Sequence, residues 1–490
     1  MFKRLTRLNI AMLLRVIGWL LMIESAFLVV PLLTCLYYGE SDWEAFAIAL
    51  CITATVGVLM TFCIRPGRSD MGKREGFLLT ASVWVFFSLC GMIPFMLGVS
   101  PIGFTDAFFE AISAFTTTGA STYVSVDNLS HGLKLWRCLM EWLGGMGIIL
   151  FTLAVIPMLN YSGGMQMFNA EVTGITHEKL RPRVSQTAKG LWFVYFILTG
   201  ILIVLLYMGP MSLFDSVCYA FSVMSTGGVS TSDAGIGAWD SLYIKIVFIV
   251  FMVLGGVNFG LIFKVGTGQF KAVRENQVFR IFMGTIIVLV FMTSIAAYIG
   301  NPVHSIETSV VDPLFQVVSM MTSTGFSVPE VNMWGDFVLL LVFLMMFMGG
   351  CAGSTSGGAK IDRIIVLLKH SRNEIYRCLH PNSILNVRVN NKVASPDTVS
   401  KVIAFLCLYV MIVLVASGLL TILGMPLGHS FFTSLSCISN AGLGINIMGV
   451  DATFIGIPDV GKWILSLVML IGRLELFTVL LLFTTDFWRK

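Results

Sequence analysis

The chain has 490 residues, of which 56% are hydrophobic and only 12% are charged, and its mean hydropathy is +0.87. Soluble proteins average about 25% charged residues, so this chain has too few charges to cover a water-exposed surface of its size. The composition excludes an ordinary soluble protein and indicates a membrane protein in a lipid bilayer. The net charge of +4 gives no reason to expect a nucleic-acid partner.

The sequence carries no signature of an enzyme or of a metal protein. Its ten cysteines form no C-x-x-C pair, and its six histidines form no H-x-x-x-H pair. We find no cluster of His, Asp and Glu and no activated nucleophile. We therefore expect neither catalysis nor a covalent cofactor, and interpret the cysteines as small apolar side chains within helices.

Ten stretches are apolar and long enough to predict membrane spans, each of which needs roughly 20 such residues. The first follows four basic residues but is too long for a signal peptide and has no cleavage site, so we expect it to be retained. In chain order the spans lie at about 16–36, 44–64, 77–97, 136–158, 190–209, 242–264, 279–300, 335–350, 400–424 and 463–485.

The segments between the spans differ in charge on the two sides of the membrane. Basic residues concentrate on one side, and an even number of spans returns the chain to that side. The positive-inside rule then places both termini in the cytoplasm. The basic side includes Arg65, Arg68, Lys73, Arg74, Lys179, Arg181, Arg183, Lys189, Lys264, Lys271, Arg274, Arg280, Lys360, Arg363, Lys369, Arg372, Arg377, Arg388 and Lys392.

Four stretches on the opposite side align without gaps and predict an internal repeat. Each ends on glycine, carries serine six residues earlier, and lies between two apolar spans. Close packing of small residues explains single occurrences, but not this shared register. The stretches are 106–119 (DAFFEAISAFTTTG), 215–228 (DSVCYAFSVMSTGG), 312–325 (DPLFQVVSMMTSTG) and 429–442 (HSFFTSLSCISNAG).

Each stretch has the chemistry of a re-entrant segment. The leading Asp of the first three predicts a helix N-cap, and the helix that follows is too short to cross the bilayer. It ends in a Thr/Ser/Gly run that continues a helix poorly. Irregular backbone at membrane depth requires burial in protein or a water-filled path. Four such segments around one axis would supply carbonyl oxygens that replace the hydration shell of a cation.

The predicted fold is therefore an all-α membrane protein with four span–pore-loop–span repeats around one pseudo-fourfold pore. Two extra transmembrane helices precede the repeats. The predicted boundaries are 1–70 for the N-terminal pair, 71–165 for repeat 1 (pore loop 106–123) and 166–270 for repeat 2 (pore loop 215–232). Repeat 3 covers 271–393 (pore loop 312–328), and repeat 4 covers 394–490 (pore loop 429–446).

The four segment ends, T-T-T-G-A, S-T-G-G-V, T-S-T-G-F and S-N-A-G-L, resemble the filter loops of the Trk/Ktr/HKT superfamily of potassium transporters. The resemblance extends from about residue 77 to the end, and the extra N-terminal spans are similar to the Trk branch. It implies that one chain forms one potassium pore in a bacterial cytoplasmic membrane. Serine at the first filter glycine goes with sodium preference in the plant relatives, so the four glycines here favour potassium.

The resemblance also implies which residues bind the potassium ion. They are Thr117, Thr118 and Gly119 in the first segment, and Thr226, Gly227 and Gly228 in the second. The third contributes Ser323, Thr324 and Gly325, and the fourth contributes Asn440, Ala441 and Gly442.

A glycine-rich stretch follows the first half of the last span of repeat 3. Its five glycines, Gly349, Gly350, Gly353, Gly357 and Gly358, precede Lys360 and cannot hold a stable helix. A phosphate-binding loop would need lysine directly after the second glycine of its pattern, which Ala359 prevents. We interpret residues 349–360 as an unwound segment beneath the filter, and a cytoplasmic linker is the alternative. The resemblance implies an intramembrane gating loop.

Arg473 lies within the last predicted span, where a charge is costly unless it is paired or hydrated. The resemblance implies a position below the filter, with the guanidinium on loop carbonyls as an electrostatic barrier. A salt bridge to Glu141 or Glu475 is the alternative.

The leading functional prediction is potassium uptake through a channel-like pore with an intramembrane gate. The alternative is a carrier that couples potassium to protons or sodium by alternating access. Inverted repeats would favour a carrier, whereas these repeats each carry two spans and share one orientation. The resemblance further implies a homodimer on a cytosolic ring of TrkA-like nucleotide-binding regulatory subunits. The basic segments 177–189, 264–280 and 369–392 are either docking surfaces or ordinary positive-inside charge.

Overall fold

The structure is a computed structural model that describes residues 8–64, 72–147, 184–239, 241–300, 305–383, 385–390, 392–442 and 454–489. The end of the predicted span 136–158, most of the basic segment 177–189 and the end of the fourth pore loop lie outside these residues. In the described part the regular secondary structure is helical apart from one antiparallel pair of two-residue strands, β1 (Arg388–Val389) and β2 (Lys392–Val393).

The helices of the N-terminal half are α1 (Ile10–Tyr38), α2 (Trp43–Val58), α3 (Lys73–Gly91), α4 (Ile93–Leu97), α5 (Phe104–Phe115), α6 (His131–Gly145), α7 (Val184–Tyr207), α8 (Leu213–Ser225), α9 (Leu242–Gly256) and α10 (Phe259–Gly266). Those of the C-terminal half are α11 (Lys271–Glu275), α12 (Gln277–Gly300), α13 (Asp312–Met321), α14 (Asp336–Met348), α15 (Ile361–Leu379), α16 (Pro396–Ile422), α17 (Leu427–Ile438), α18 (Asp459–Arg473), α19 (Leu476–Leu482) and α20 (Thr485–Trp488).

Among the residues that the structure describes, six helical stretches are long and apolar enough to cross a membrane. They are Ile10–Tyr38, Trp43–Cys63, Arg74–Leu97, Lys189–Tyr207, Gln277–Gly300 and Pro396–Ile422. Large apolar side chains on them face outward; Phe193 and Phe196, for example, are each 64% exposed. This outward apolar surface suits lipid rather than water.

Two predicted continuous spans are broken in the structure, so their prediction as single helices was wrong. The stretch 242–264 forms α9 and α10, which meet at an angle of 107°. The stretch 463–485 forms α18 and α19, which are separated by Leu474 and Glu475. Hydropathy averaged over a whole span does not register such a break, because most residues on both sides of it are apolar.

Four short helices, α5, α8, α13 and α17, are the helical parts of the four aligned stretches. Each packs against the helix before it and the helix after it in its own repeat. Each also packs against the later helix of the preceding repeat: α5 against α18, α8 against α6, α13 against α9, and α17 against α14. The same three-sided packing therefore occurs four times. It closes a cycle, because the short helix of repeat 1 packs against the later helix of repeat 4.

The predicted role of the leading Asp as N-cap was wrong. In α8 the cap is Ser212, whose hydroxyl accepts from the Asp215 backbone N–H at 3.0 Å, and Asp215 stands in the first turn. In α5 the cap is Gly103, and Asp106 stands in the first turn. A carboxylate in the first turn is still stabilised by the positive end of the helix dipole. The Asp residues therefore stabilise the start of the helix without capping it.

The N-terminal pair packs on repeat 1. Helix α1 contacts α2, α3 and α6, and a Cβ built on Gly18 would lie 2.8 Å from the Gly57 carbonyl oxygen, so glycine permits the close crossing of α1 and α2. Glu40 then fixes the pair to α6, because its carboxylate accepts from the His131 backbone N–H at 2.9 Å.

Candidate functional site

The four short helices end in the same hydrogen-bonded turn. The shared serine, six residues before each glycine, accepts through its carbonyl from the N–H of the residue just before that glycine. The four distances are 2.8 Å from Thr118 to Ser113, 3.0 Å from Gly227 to Ser222, 2.8 Å from Thr324 to Ser319, and 3.0 Å from Ala441 to Ser436. Such a hydrogen bond is typical of a helix C-terminus at which the residue before the donor has a left-handed backbone conformation. The serine register of the sequence therefore corresponds to a common backbone structure.

The backbone alternates in handedness over the last three residues of each stretch, which we call the filter-like segments 117–119, 226–228, 323–325 and 440–442. Their first residues, Thr117, Thr226, Ser323 and Asn440, have φ of 55°, 56°, 55° and 48°. The closing glycines Gly119, Gly228, Gly325 and Gly442 also have positive φ, whereas the residues between them do not. A left-handed conformation strains the backbone of a residue that has a side chain. Because it occurs at the same position in all four segments, we infer that the structure of the segment requires it.

Each filter-like segment touches the next one. A Cβ built on Gly119 would lie 2.0 Å from the Gly227 carbonyl oxygen, and one on Gly228 would lie 2.0 Å from that of Thr324. A Cβ on Gly325 would lie 2.4 Å from the Ala441 oxygen, and one on Gly442 would lie 1.6 Å from the Thr118 oxygen. The contacts thus run from the first segment through the fourth and back to the first, and no side chain fits at any of the four glycines.

Buried side chains hold the segments from behind. The hydroxyl oxygens of Thr116 and Thr118 lie 2.8 Å apart, and those of Thr322 and Thr324 lie 2.7 Å apart. Asn440 donates to the Thr118 hydroxyl at 2.9 Å and so joins the fourth segment to the first. These contacts fix the backbone of the segments against buried polar partners.

Residues nine positions before the glycine support the chain that leaves it. Glu110 accepts from the Thr122 backbone N–H at 2.9 Å, and Gln316 accepts from the equivalent Val328 N–H at 3.2 Å. Glu110 also pairs with Arg137 at 2.6 Å, with both side chains almost fully buried. The outgoing backbone is therefore held in the same way in repeats 1 and 3.

The later helix of every repeat ends at, or within two residues of, the same position in the aligned sequences, and these ends lie next to the filter-like segments or to residues 356–358. Helices α6, α9, α14 and α18 end at Gly145, Gly256, Met348 and Arg473. At this point the four sequences read Gly144-Gly145, Gly255-Gly256, Gly349-Gly350 and Gly472-Arg473. Glycine is required by close approach: a Cβ on Gly144 would lie 1.8 Å from the Phe115 oxygen, and one on Gly472 would lie 2.0 Å from the Ile438 oxygen.

Residues 349–360 form a buried loop that packs against these helix ends, so they are not a surface linker. The backbone N–H groups of Cys351 and Thr355 donate to the carbonyls of Gly256 and Gly255 at 2.9 and 3.2 Å. On the other side, the Gly358 N–H donates to the Ser439 carbonyl at 3.0 Å. The loop therefore uses its N–H groups to satisfy carbonyls that broken helices leave free.

Arg473 connects the loop to repeat 1. Its guanidinium donates to the Thr355 carbonyl at 2.8 Å and to the carbonyls of Gly144 and Gly145 at 2.6 and 2.8 Å. The carboxylate of Glu475, one alternative partner, pairs instead with Arg363. A planar guanidinium can bridge several carbonyls at once, which suits this junction.

Lys360 ends the loop in a left-handed conformation, with φ of 73°, and its buried ammonium donates to the Ser356 carbonyl. Asp362 accepts from the Ala352 backbone N–H at 2.7 Å and closes the loop from its far end. The loop is thus tied at both ends by charged side chains.

All twelve predicted filter residues lie in the four touching segments, and the seven predicted gating residues lie in the loop or at its edge. Sequence reasoning missed three features, each visible as a register in the later helices. The first is the glycine pair at the break. The second is a lysine ten residues before the first glycine of the break, at Lys134, Lys245 and Lys462. The third is Glu141, whose equivalents in the other repeats are methionines.

Comparisons with known proteins identify the family of the chain. The model of the TrkH family, described as a cation transport protein, matches residues 43–490. The chain belongs to the TrkH family. It is 35% identical to the Trk system potassium uptake protein TrkH of Salmonella typhimurium, over 97% of this chain and 99% of that one. It is 30% identical to the Trk system potassium uptake protein TrkG of Escherichia coli, over 96% and 97%.

The fold of this TrkH-family chain also matches a solved structure. The crystal structure of the potassium transporter TrkH from Vibrio parahaemolyticus superimposes with a TM-score of 0.88, at 31% sequence identity. The match covers 98% of this chain and 100% of that one, so the likeness includes the N-terminal pair of helices as well as the repeats.

Proposed function

We propose that the chain takes up potassium across the bacterial cytoplasmic membrane, through one channel-like pore lined by the four filter-like segments. The observation that carries this proposal is the cycle of contacts among four segments with the same alternation of backbone handedness. Alternating handedness turns successive carbonyls to one side of the chain. Four such segments give rings of oxygens suited to a dehydrated monovalent cation. The names of the relatives, which take up potassium, support the choice of ion.

The loop at residues 349–360 is the proposed gate. It lies beneath the segments and bonds to helix ends of repeats 2 and 4, while Arg473 extends the contact to repeat 1. A loop held by a few hydrogen bonds to each of several repeats can leave without unfolding any of them, because glycine-rich backbone changes conformation at low cost. Its departure would clear the loop from the path and free the guanidinium of Arg473 from one of its carbonyl partners, that of Thr355.

Coupled transport of potassium with protons or sodium is the second candidate. The three-sided packing of the short helices recurs in the same order in all four repeats, as repeats that share one orientation would pack. A carrier built on inverted repeats rocks one half against the other, which this arrangement does not favour. The proposed conduction path is therefore a pore, with both chain termini in the cytoplasm.

The proposed partners are a second copy of the chain and a ring of TrkA-like nucleotide-binding subunits on the cytoplasmic side. Helix α15 supports a protein contact there, because Leu368, Ile375 and Leu379 are largely exposed next to the exposed Arg372. Apolar side chains next to charges are typical of an interface with a protein.

The decisive experiment measures potassium and sodium flux through purified protein in liposomes, for wild type and for Gly119→Ser. A side chain at Gly119 would meet the Gly227 carbonyl and would be strained at φ of 76°. We expect potassium-selective flux in the wild type and reduced or lost selectivity in the variant. Gly39→Ser is the matched control, since it also has positive φ but has open space around its Cβ. Equal selectivity of Gly119→Ser and wild type would reject the filter assignment and favour a carrier.

A further inference from the structure

Glu141 interrupts a register that the later helices otherwise share. Three residues before the glycine at the break, repeats 2, 3 and 4 have Met252, Met346 and Met469, whereas repeat 1 has Glu141. The Glu141 side chain is completely buried. A carboxyl group at membrane depth is costly and is a candidate for function wherever it occurs.

The Glu141 carboxyl group lies directly behind the second filter-like segment. Its Oε2 accepts from the backbone N–H of Val229, the residue after Gly228, at 3.4 Å. A Cβ built on Gly227 would lie 2.3 Å from the Glu141 Cδ, and one on Gly119 would lie 3.5 Å from its Oε1. The carboxyl group therefore stands at the junction of the first and second segments.

The position of the carboxyl group explains why the second segment has glycine before its closing glycine. The first and third segments have Thr118 and Thr324 there, each paired with a hydroxyl two residues earlier. At Gly227 a side chain of any size would overlap the carboxyl group of Glu141. Repeat 1 has Glu where the other three repeats have Met, and repeat 2 has Gly where repeats 1 and 3 have Thr. In repeat 2, one carboxyl group therefore takes the place of the pair of hydroxyl groups.

Within the described residues, the second oxygen of this carboxyl group has no hydrogen bond of regular geometry. Oε1 is buried, and the neighbouring Ser222 hydroxyl, which interacts with the carboxyl group, does not reach it with regular hydrogen-bond geometry. Burying a carboxylate without full hydrogen bonding is unfavourable unless a positive charge lies near it. A cation held by the carbonyls of the first two segments would supply that charge.

We propose that Glu141 is a specificity-determining residue, which anchors Val229 and places a carboxyl group behind Gly227 so that repeat 2 binds a dehydrated monovalent cation most strongly. The inference rests on the proposed function and deepens it, because it makes the ion site asymmetric. Glu141 acts through Gly227 and Val229 and need not touch the ion.

Two variants separate the charge of Glu141 from its shape. Glu141→Gln keeps an acceptor for Val229 and removes the charge. We expect it to fold like wild type and to lose about tenfold in potassium-over-sodium flux ratio, with a similar loss in potassium-dependent protection against thermal unfolding. Glu24→Gln is the matched control, because Glu24 is also fully buried but lies in the N-terminal pair of helices, and we expect it to leave the ratio unchanged.

The second variant rebuilds repeat 2 in the manner of repeats 1 and 3. Glu141→Met combined with Gly227→Thr removes the carboxyl group and places a Thr hydroxyl near Ser225, which occupies the position of Thr116. We expect the double variant to fold better than Glu141→Met alone while keeping the altered flux ratio. If Glu141→Gln does not fold, a wild-type flux ratio in the double variant overturns the role of Glu141.

The outcomes distinguish this inference from the function on which it rests. A wild-type flux ratio in a folded Glu141→Gln or double variant overturns the role of Glu141 and leaves the pore in place. A wild type without potassium-selective flux overturns the proposed function itself, whatever the variants do. A changed ratio in Glu141→Gln with an unchanged Glu24→Gln supports both.

Discussion

The backbone N–H of Gly357 donates to the Ser323 hydroxyl at 2.5 Å, which joins the third filter-like segment directly to the glycine-rich loop. The hydroxyls of Thr226 and Thr355 stand in a similar relation, 3.4 Å apart, between the second segment and the loop. Both filter residues are left-handed, where a helix end ordinarily has glycine. We infer that the hydroxyl side chains are kept at the cost of backbone strain because they hold the loop.

Ser323→Gly tests this link. The variant relieves the left-handed strain, worth about 1 kcal/mol, but removes the acceptor of the Gly357 N–H. We expect equal or higher thermal stability together with a higher potassium flux, because the loop is released more easily. Stability is measured by tryptophan fluorescence in detergent and flux is measured in liposomes.

Thr117→Gly is the control for that variant. Thr117 has the same φ of 55°, and within the described residues its side chain makes no hydrogen bond to the loop. The control should share the change in stability but not the rise in flux. Equal flux in the two variants would show that strain, not the link to the loop, controls opening.

Arg473→Gln tests the bridge between the loop and repeat 1. Glutamine is shorter and uncharged, so the carbonyls of Thr355, Gly144 and Gly145 lose their donor. We expect a loss of about 1–3 kcal/mol in stability and a higher basal potassium flux in liposomes. Arg473→Lys separates the contribution of the charge from that of the hydrogen bonds. Lysine keeps the positive charge but cannot span the carbonyls of both the loop and repeat 1. An unchanged flux in Arg473→Gln would exclude this residue from the gate.

How far the fold could be predicted depends on which signal each element leaves in the sequence. Spans such as Ile10–Tyr38 and Pro396–Ile422 follow from hydropathy, and the filter-like segments follow from the serine and glycine register. The break after Gly256 could not be predicted by hydropathy, because its free carbonyl is satisfied by the Cys351 N–H, far along the chain. Such long-range compensation is a property of the packed structure.

The site was predicted incompletely for a related reason. Arg473 was identified as a lone charge in an apolar span, and its carbonyl partners were expected only from the family resemblance. Glu141 was noticed only as a possible partner of Arg473, although its carboxyl group contacts Val229 and Gly227 instead. An alignment of the later helices in one register, alongside that of the outer stretches, would have exposed the exchange of Met for Glu.

Arg372→Glu tests the proposed docking surface on α15. Arg372 is exposed, whereas Arg377 already pairs with Glu374 at 2.6 Å and donates to the Leu385 carbonyl at 3.2 Å. We therefore expect reversal at Arg372 to weaken binding of a purified TrkA-like subunit without a change in ion selectivity. Arg377→Glu should also disturb the fold of this region. Binding is measured by interferometry with immobilised transporter, and exposed Arg489 reversed to Glu is the control. Unchanged binding in Arg372→Glu would remove this surface from the proposal.

Lys462 and Asp106 form an ion pair at 2.5 Å that joins α18 of repeat 4 to the short helix of repeat 1. Lys245 and Asp312 repeat the arrangement at 2.8 Å between repeats 2 and 3. Between repeats 3 and 4 the equivalent positions hold Leu339 and His429, so the lysine and the aspartate are both replaced there.

Single and double substitutions of Lys462 and Asp106 therefore should not add. The Lys462 side chain is 5% exposed and that of Asp106 is 27% exposed, so Asp106→Asn, which leaves the more buried charge unpaired, should destabilise more than Lys462→Leu. In the double variant we expect a coupling energy of about 1–3 kcal/mol, measured by chemical unfolding in detergent. Lys134→Leu is the matched control, since this equivalent lysine donates to the Asp127 carbonyl at a more exposed site. Additive effects, or an equal loss in Lys134→Leu, would mean that the repeats are held together by apolar packing alone.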